Sequence, residues 1–163
     1  MKRLFIAALL LTACNNEPAL DGVKTFDFKG GDHKEGRIEY PESLPAGGPH
    51  NPAWQNCGIY TGELHEEYAV HSLEHGAVWV TYNPTVTKAD VLLLQEALAG
   101  RTHILLSPRS EQQAPIVMTA WNAQLELQDA SDPRVTKFVQ TYEQAGTAPE
   151  IGASCSGAYS ETQ

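Results

Sequence analysis

The chain has 163 residues, a length that fits one ordinary domain and leaves little room for a second with its own core. With 42% hydrophobic, 8% aromatic and 19% charged residues it reads as globular, which excludes a disordered or fibrous chain. Eleven Lys plus Arg against twenty Asp plus Glu give a formal charge of -9, so no nucleic acid is expected as a partner.

Met1-Lys2-Arg3 precedes an apolar run from Leu4 to Leu11, and Leu11-Thr12-Ala13-Cys14 follows. A basic start, a short apolar core and small residues before a cysteine predict a secretory signal peptide over 1–13, too short to span a bilayer as a helix. The placement of Cys14 resembles the lipobox of bacterial lipoproteins, where the leader is cut before a cysteine that then carries acyl chains such as palmitate. An ordinary cleaved leader is the alternative. Loss of Lys2 and Arg3 leaves a still more acidic chain, so acyl chains rather than a basic patch would tether it to the membrane. Asn15 and Asn16 follow Cys14 with no Asp at the second mature position, which by resemblance to known sorting patterns favours the outer membrane in a two-membrane bacterium, facing the periplasm or exterior.

Residues 14–24 read as a polar tether and 25–163 as one α+β domain with its ordered core over about 36–157. Strands are expected at Thr25 to Phe28 and around Gly36 to Tyr40. Pro41 to Gln55 is dense in Pro and Gly and should be a long loop of the kind that tends to carry function; it holds His50 and Trp54. The segment Glu66 to Gly76 fits a helix or a strand. Gly76 to Tyr82 is rich in β-branched and aromatic residues and predicts a strand, ended by Asn83-Pro84. Thr87-Lys88-Ala89-Asp90 has capping-box spacing, and Val91, Leu94 and Leu98 recur at helical intervals, so a helix should run from about Lys88 to Ala99 and stop at Gly100. Strands follow at Thr102 to Leu106 and Pro115 to Trp121, and Leu125 to Gln128 extends the sheet. A last helix has Asp132 as cap, Pro133 in its first turn and Val135, Phe138, Val139 and Tyr142 on one face, ending at Gly146. The fold class is α+β, a single-layer mixed or antiparallel sheet packed against two main helices, with the long Pro/Gly-rich loop.

With Cys14 lipidated, Cys57 and Cys155 remain in a compartment that permits disulfides. A bridge between them closes a long loop, worth roughly 4 to 5 kcal/mol in the loop-entropy model; two free thiols or metal ligation are the alternatives. No CxxC or CxxCH is present, so neither a thioredoxin-like redox site nor covalent haem is supported.

The most informative block is Glu66-Glu67-Tyr68-Ala69-Val70-His71-Ser72-Leu73-Glu74-His75-Gly76. His71 and His75 share a face as a helix, because they are four apart, and as a strand, because the separation is even. Two imidazoles so placed are a recurrent half of a metal site, and His50 is the preferred third ligand. The bland alternative is surface or hydrogen-bonded core histidines. His33, in a polar turn, and His103, in a strand, lack such company and are assigned no role. The same block matches His-x-x-Glu-His, the inverted zincin pattern, in which two His bind zinc and the Glu activates water. There the motif lies within a continuous helix, whereas here Gly76 and a β-rich run follow at once. Three imidazoles suit copper or zinc, and a thioether would add a preference for Cu(I). Met118 is the candidate thioether, although a Met in an apolar strand is more often core. Trp54, Tyr60 and Trp121 are candidate walls.

The sequence resembles the bacterial extracytoplasmic proteins grouped as domain of unknown function 3105. The resemblance is carried by Gly48-Pro49-His50, Asn56-Cys57-Gly58-Ile59-Tyr60, Val70-His71-Ser72-Leu73-Glu74-His75-Gly76-Ala77-Val78, Tyr82-Asn83-Pro84, Thr119-Ala120-Trp121, and Ala148-Pro149-Glu150 with Cys155. It covers roughly residues 36 to 157. The His-Ser-Leu-Glu-His-Gly block is its most specific part, and His50, His71 and His75 fall on histidines of the family pattern. The resemblance implies a membrane-tethered domain or lipoprotein without an assigned activity; Met118 departs from the small or apolar residue expected there.

Together these readings give a lipid-anchored extracytoplasmic protein that handles a transition metal, copper before zinc, through His50, His71 and His75. Storage, delivery or protection fits better than turnover, and a metal donor or acceptor protein is the expected partner. Two alternatives stand: a small zinc-dependent hydrolase with Glu74 as catalytic base, and a non-metal envelope lipoprotein that binds a partner or ligand.

Overall fold

The computed structural model describes residues 20–163, so the expected leader, Cys14 and the first part of the tether lie outside the described residues. In chain order the elements are β1 (Lys24–Thr25), β2 (Gly58–Ile59), α1 (Glu66–Glu74), β3 (Val78–Tyr82), α2 (Lys88–Leu98), β4 (Ile104–Pro108), β5 (Ile116–Ala120), β6 (Ala123–Leu127) and α3 (Arg134–Tyr142). The strands form one mixed six-stranded sheet in the order β1-β6-β5-β3-β4-β2, and with the helices they make an α+β fold.

The parallel pair β3 and β4 is joined through α2, which supplies the length that a parallel crossover needs. β5 then runs antiparallel to β3, and a two-residue turn at Trp121-Asn122 returns the chain as β6. Asn122 takes φ 63° in that turn, a conformation that Asn tolerates better than most residues. At the far edge, β2 pairs in parallel with β4, and β1 pairs antiparallel with β6.

Alternation along the strands sorts the core into two layers. Val78, Val80, Leu106, Ile116, Met118 and Leu125 face α2 and α3, where they meet Leu94, Leu98, Val135, Phe138 and Val139. Trp79, Leu105, Val117 and Trp121 lie in the second cluster, with Ala69, Val70 and Leu73 of α1 and with Leu44 and Leu64. The sheet therefore carries α2 and α3 on one side, and α1 with the irregular 41–64 region on the other.

Local chemistry explains the helix ends. Thr87 Oγ1 accepts from the Asp90 N–H at 3.2 Å and starts α2. Asp132 Oδ1 accepts from the Arg134 N–H at 2.8 Å ahead of α3. α1 stops in a paired C-terminal motif in which the Gly76 N–H reaches Leu73 O and the Ala77 N–H reaches Ser72 O, both at 2.9 Å. Gly76 takes φ +92°, and a Cβ there would lie 2.4 Å from the Gln144 side-chain amide, so glycine is what lets the helix end directly after His75 and feed β3.

Several expectations need correction. The block at 66–76, open between helix and strand, is a third helix. Gly36 to Tyr40 forms no strand: Ile38 is buried, Tyr40 Oη donates to Pro49 O at 2.7 Å, and the alternating pattern there marks a covered face without a neighbouring strand to pair with. The first strand is shorter than Thr25 to Phe28, α3 ends four residues before Gly146, and β2 is too short for its Gly-Ile pair to have shown a pattern.

Cys57 and Cys155 form a disulfide across a sequence separation of 98. It fixes the C-terminal tail against the 54–59 segment, where Tyr159 also stacks on Tyr68 with centroids 3.9 Å apart. Replacing both cysteines by serine should lower stability by about 2–5 kcal/mol in urea titrations under oxidising conditions. An equal change on adding reductant to the parent protein, and none in the double variant, would identify the bridge as the cause.

Candidate metal centre

α1 places His71, Glu74 and His75 toward the irregular region rather than toward solvent, because Ala69, Val70 and Leu73 claim the sheet. The segment 50–55 runs alongside the helix, tied by the Asn51 N–H to Glu67 O, the Gln55 N–H to Tyr68 O, and Ser72 Oγ–H to Gln55 O. A second segment joins it: the Lys34 N–H donates to His50 O at 2.8 Å and the His50 N–H to Asp32 O at 3.0 Å, a parallel bridge between His33 and His50.

These contacts bring four side chains to one point. His33, His50, His71 and Glu74 each offer a ligand atom within 4.8 Å of the others. Ring centroids are 4.8 Å apart for His33 and His50, 4.9 Å for His33 and His71, and 4.8 Å for His50 and His71. His50 and Glu74 are fully buried, whereas the His33 side chain is 40% exposed and forms an opening to solvent. Trp121 closes the inner side, edge-on to His50 at 5.8 Å. A second group, His71, His75 and Glu150, lies beside the first and shares His71 with it.

Each helix or loop imidazole is oriented the same way. His50 Nδ1–H donates to Gly48 O at 2.8 Å, His71 Nδ1–H to Asn51 O at 2.6 Å, and His75 Nδ1–H to Ser154 O at 2.6 Å. A carbonyl can only accept, so Nδ1 carries a proton, and in the neutral form of each ring the Nε2 lone pair is free. This is the second-layer arrangement that fixes tautomer and direction in metal-binding histidines. Burial, with the neighbouring His75, His50 and His33 adding to it, pushes the His71 pKa down to about 4 against the upward pull of the Asn51 carbonyl. Its ring is therefore neutral and ligand-competent at ordinary pH.

The sharpest feature is Glu74. Its Oε1 accepts from the Gly31 N–H at 2.6 Å, and its Oε2 faces His50 Nε2 at 2.9 Å and His33 Nε2 at 3.6 Å. Neither Glu74 Oε2 nor His50 Nε2 has a hydrogen-bond partner, and both atoms are buried. A neutral imidazole nitrogen and a carboxylate oxygen are both acceptors, and burying two such groups in contact is costly unless a positive charge joins them. A proton joins two lone pairs; a cation joins all four groups converging here.

The structure brings His50 and His71 together and adds His33, a turn histidine to which the sequence assigns no role. His75 is adjacent, with Nε2 3.5 Å from Glu150 Oε2, but belongs to the neighbouring group. Met118 is corrected: it is fully buried in the cluster facing α2 and α3, on the other side of the sheet from Trp79, Val117 and Trp121. Its odd spacing from Trp121 already set the two on opposite faces. Trp54 and Trp121 contact the histidines, whereas Tyr60 donates to Asn56 O and makes no aromatic contact with them. His65 meets Tyr68 and Tyr159 edge-on, and His103 bonds to Ala153 O, both outside the group.

A sequence signal for His33 existed. Gly30-Gly31-Asp32-His33 and Gly47-Gly48-Pro49-His50 are two copies of Gly-Gly-x-His, and the two histidines are bridge partners. Gly30 is also needed for space: a Cβ there would sit 2.6 Å from Pro149 and 2.7 Å from Glu74 Oε1.

The chain belongs to the family described as protein of unknown function (DUF3105), whose model matches residues 33–157. That span opens on His33 and contains the other ligand candidates. No curated protein and no solved structure matches the chain.

The contact between His50 and Glu74 generates a prediction of opposite signs. In chelator-treated protein, Glu74→Gln places an amide N–H against His50 Nε2 and should raise unfolding stability by about 1–3 kcal/mol, while metal affinity falls by about 10–100-fold. Urea titration and metal competition on the same preparations check both. Loss of stability in the metal-free variant would instead identify a proton-held ion pair.

Proposed function

We propose that this protein is a lipid-anchored, extracytoplasmic metal-binding protein whose resident cation is held by His33, His50, His71 and Glu74. The observation that carries this reading is the buried pair of unpartnered acceptors, His50 Nε2 and Glu74 Oε2, inside a ring of three imidazoles. Three nitrogens and one carboxylate oxygen form a donor set for a divalent first-row ion. With Met118 on the far side of the sheet, no thioether among the described residues supports Cu(I), so the copper reading becomes one of Cu(II). The Irving–Williams order places Cu(II) above Zn(II) for such a set, with zinc as the competitor.

Metal handling fits the site better than turnover. In the inverted zincin pattern Glu74 would polarise a water, yet here its Oε1 accepts from the Gly31 N–H and its Oε2 faces the histidines at zero exposure. His71 and His75 do meet in the outer group with Glu150, but Glu74 lies in the inner group, whereas that pattern needs the Glu free to face a zinc-bound water. Membrane attachment through Cys14 supports a fixed station for the cation at the cell envelope, with delivery to or protection of another protein as its use. Among the described residues no helix is long and apolar enough to cross a membrane.

Purified protein dialysed at neutral pH after exposure to Cu(II) or Zn(II) should retain about one equivalent. Because the His33 side chain is partly exposed, His33→Ala should leave the circular dichroism spectrum unchanged while weakening retention by about 10–100-fold. Metal content at background in the parent protein, by elemental analysis, would leave the envelope partner-binding reading in its place.

A further inference from the structure

His71 belongs to two ligand groups at once, and its chemistry allows it to serve only one. Its Nδ1–H is committed to Asn51 O, which leaves a single lone pair on Nε2. That lone pair completes either the inner group with His33, His50 and Glu74 or the outer group with His75 and Glu150. The outer group differs in character. It has three protein ligands, and its carboxylate is about half exposed, whereas that of Glu74 is sealed. His75 is aimed by its Nδ1–H bond to Ser154 O, next to the disulfide at Cys155. Trp54 lies against both rings, with centroids 4.9 Å from that of His75 in a tilted contact and 5.8 Å from that of His71 edge-on.

We propose that His71, His75 and Glu150 form a second metal position, a hand-off site that exchanges one cation with the inner site through the shared His71. This rests on the metal reading of the inner group and extends it to how the ion moves. A three-ligand set keeps a coordination position open, so a ligand from a metal donor, an acceptor or a chelator can join the cation at Glu150 before His71 releases it. Transfer then proceeds by stepwise ligand exchange, with no bare cation crossing the protein and no change in oxidation state. Sharing also fixes stoichiometry: each chain holds one cation, resting at the inner position and passing through the outer one. The backbone supports the coupling, since the Glu150 N–H donates to Glu74 O at 3.0 Å, tying the outer carboxylate's segment to the residue that supplies the inner one.

The test is stopped-flow transfer of Cu(II) into the protein and from the loaded protein to a coloured chelator, alongside equilibrium titration. Glu150→Gln and His75→Asn should keep one equivalent and the parent affinity, while uptake and release both slow by about tenfold. Equal slowing is required, because an unchanged equilibrium constant links the two rates. His33→Ala should give the contrary signature of weaker affinity and faster release. Unchanged rates in Glu150→Gln overturn the proposal. So does loss of equilibrium affinity in that variant, which would make Glu150 a resident ligand, or simultaneous binding of two equivalents by the parent. Failure of the parent to bind any Cu(II) is a distinct result, and it overturns the inner site as well.

Discussion

The contact on which the arrangement turns is the one between Glu74 Oε2 and His50 Nε2, two acceptors 2.9 Å apart with no water access. Without a proton or a cation between the two atoms, nothing in ordinary packing favours it. A hydrophobic pair of the same volume, or a Gln in place of the Glu, would fill the space without leaving a buried acceptor unsatisfied. The surrounding structure nevertheless holds the contact from several directions: the Gly31 N–H on the other carboxylate oxygen, Gly48 O behind His50, and the helix register that sets His71 beside them. A site built to receive a cation has this form before the cation arrives, with ligands fixed and lone pairs convergent.

The fold supplies rigidity where the ligands need it. α1 is short, and its own propensity would not hold it. It is fixed by Val70 and Leu73 against Trp79 and Leu105, by the buried Arg109, which pairs with Glu66 in the first turn and donates to Ser43 O, and by the glycine termination at Gly76. The irregular segments are fixed by backbone bonding to the helix and to each other, and the tail by the disulfide. A net charge of -9 adds a field that draws cations toward the molecule, while the choice among cations falls to the donor set.

How much of this was legible in the sequence follows from how local each signal is. β3, α2, β4, β5 and α3 were readable because periodicity, caps and turn residues lie within a few residues of one another. His71, Glu74 and His75 were readable for the same reason, since four-residue spacing serves one face on either backbone. His33 was not, because it reaches the site through hydrogen bonds between two irregular segments seventeen residues apart in the chain, and only the repeated Gly-Gly-x-His pointed to it. Met118 was misplaced by taking residue type ahead of strand parity. The division of the histidines into two groups depends on which carbonyl orients each ring, and no spacing rule encodes that.

The central claim is that one cation sits between His33, His50, His71 and Glu74. The most direct measurement is a crystal structure of Cu(II)- or Zn(II)-loaded protein, with anomalous data at the metal edge. The account predicts one principal peak at about 2.0–2.2 Å from a ring nitrogen of each of the three histidines and from a Glu74 oxygen. An empty centre with His50 and Glu74 still in contact, or a peak only at surface carboxylates, would contradict it.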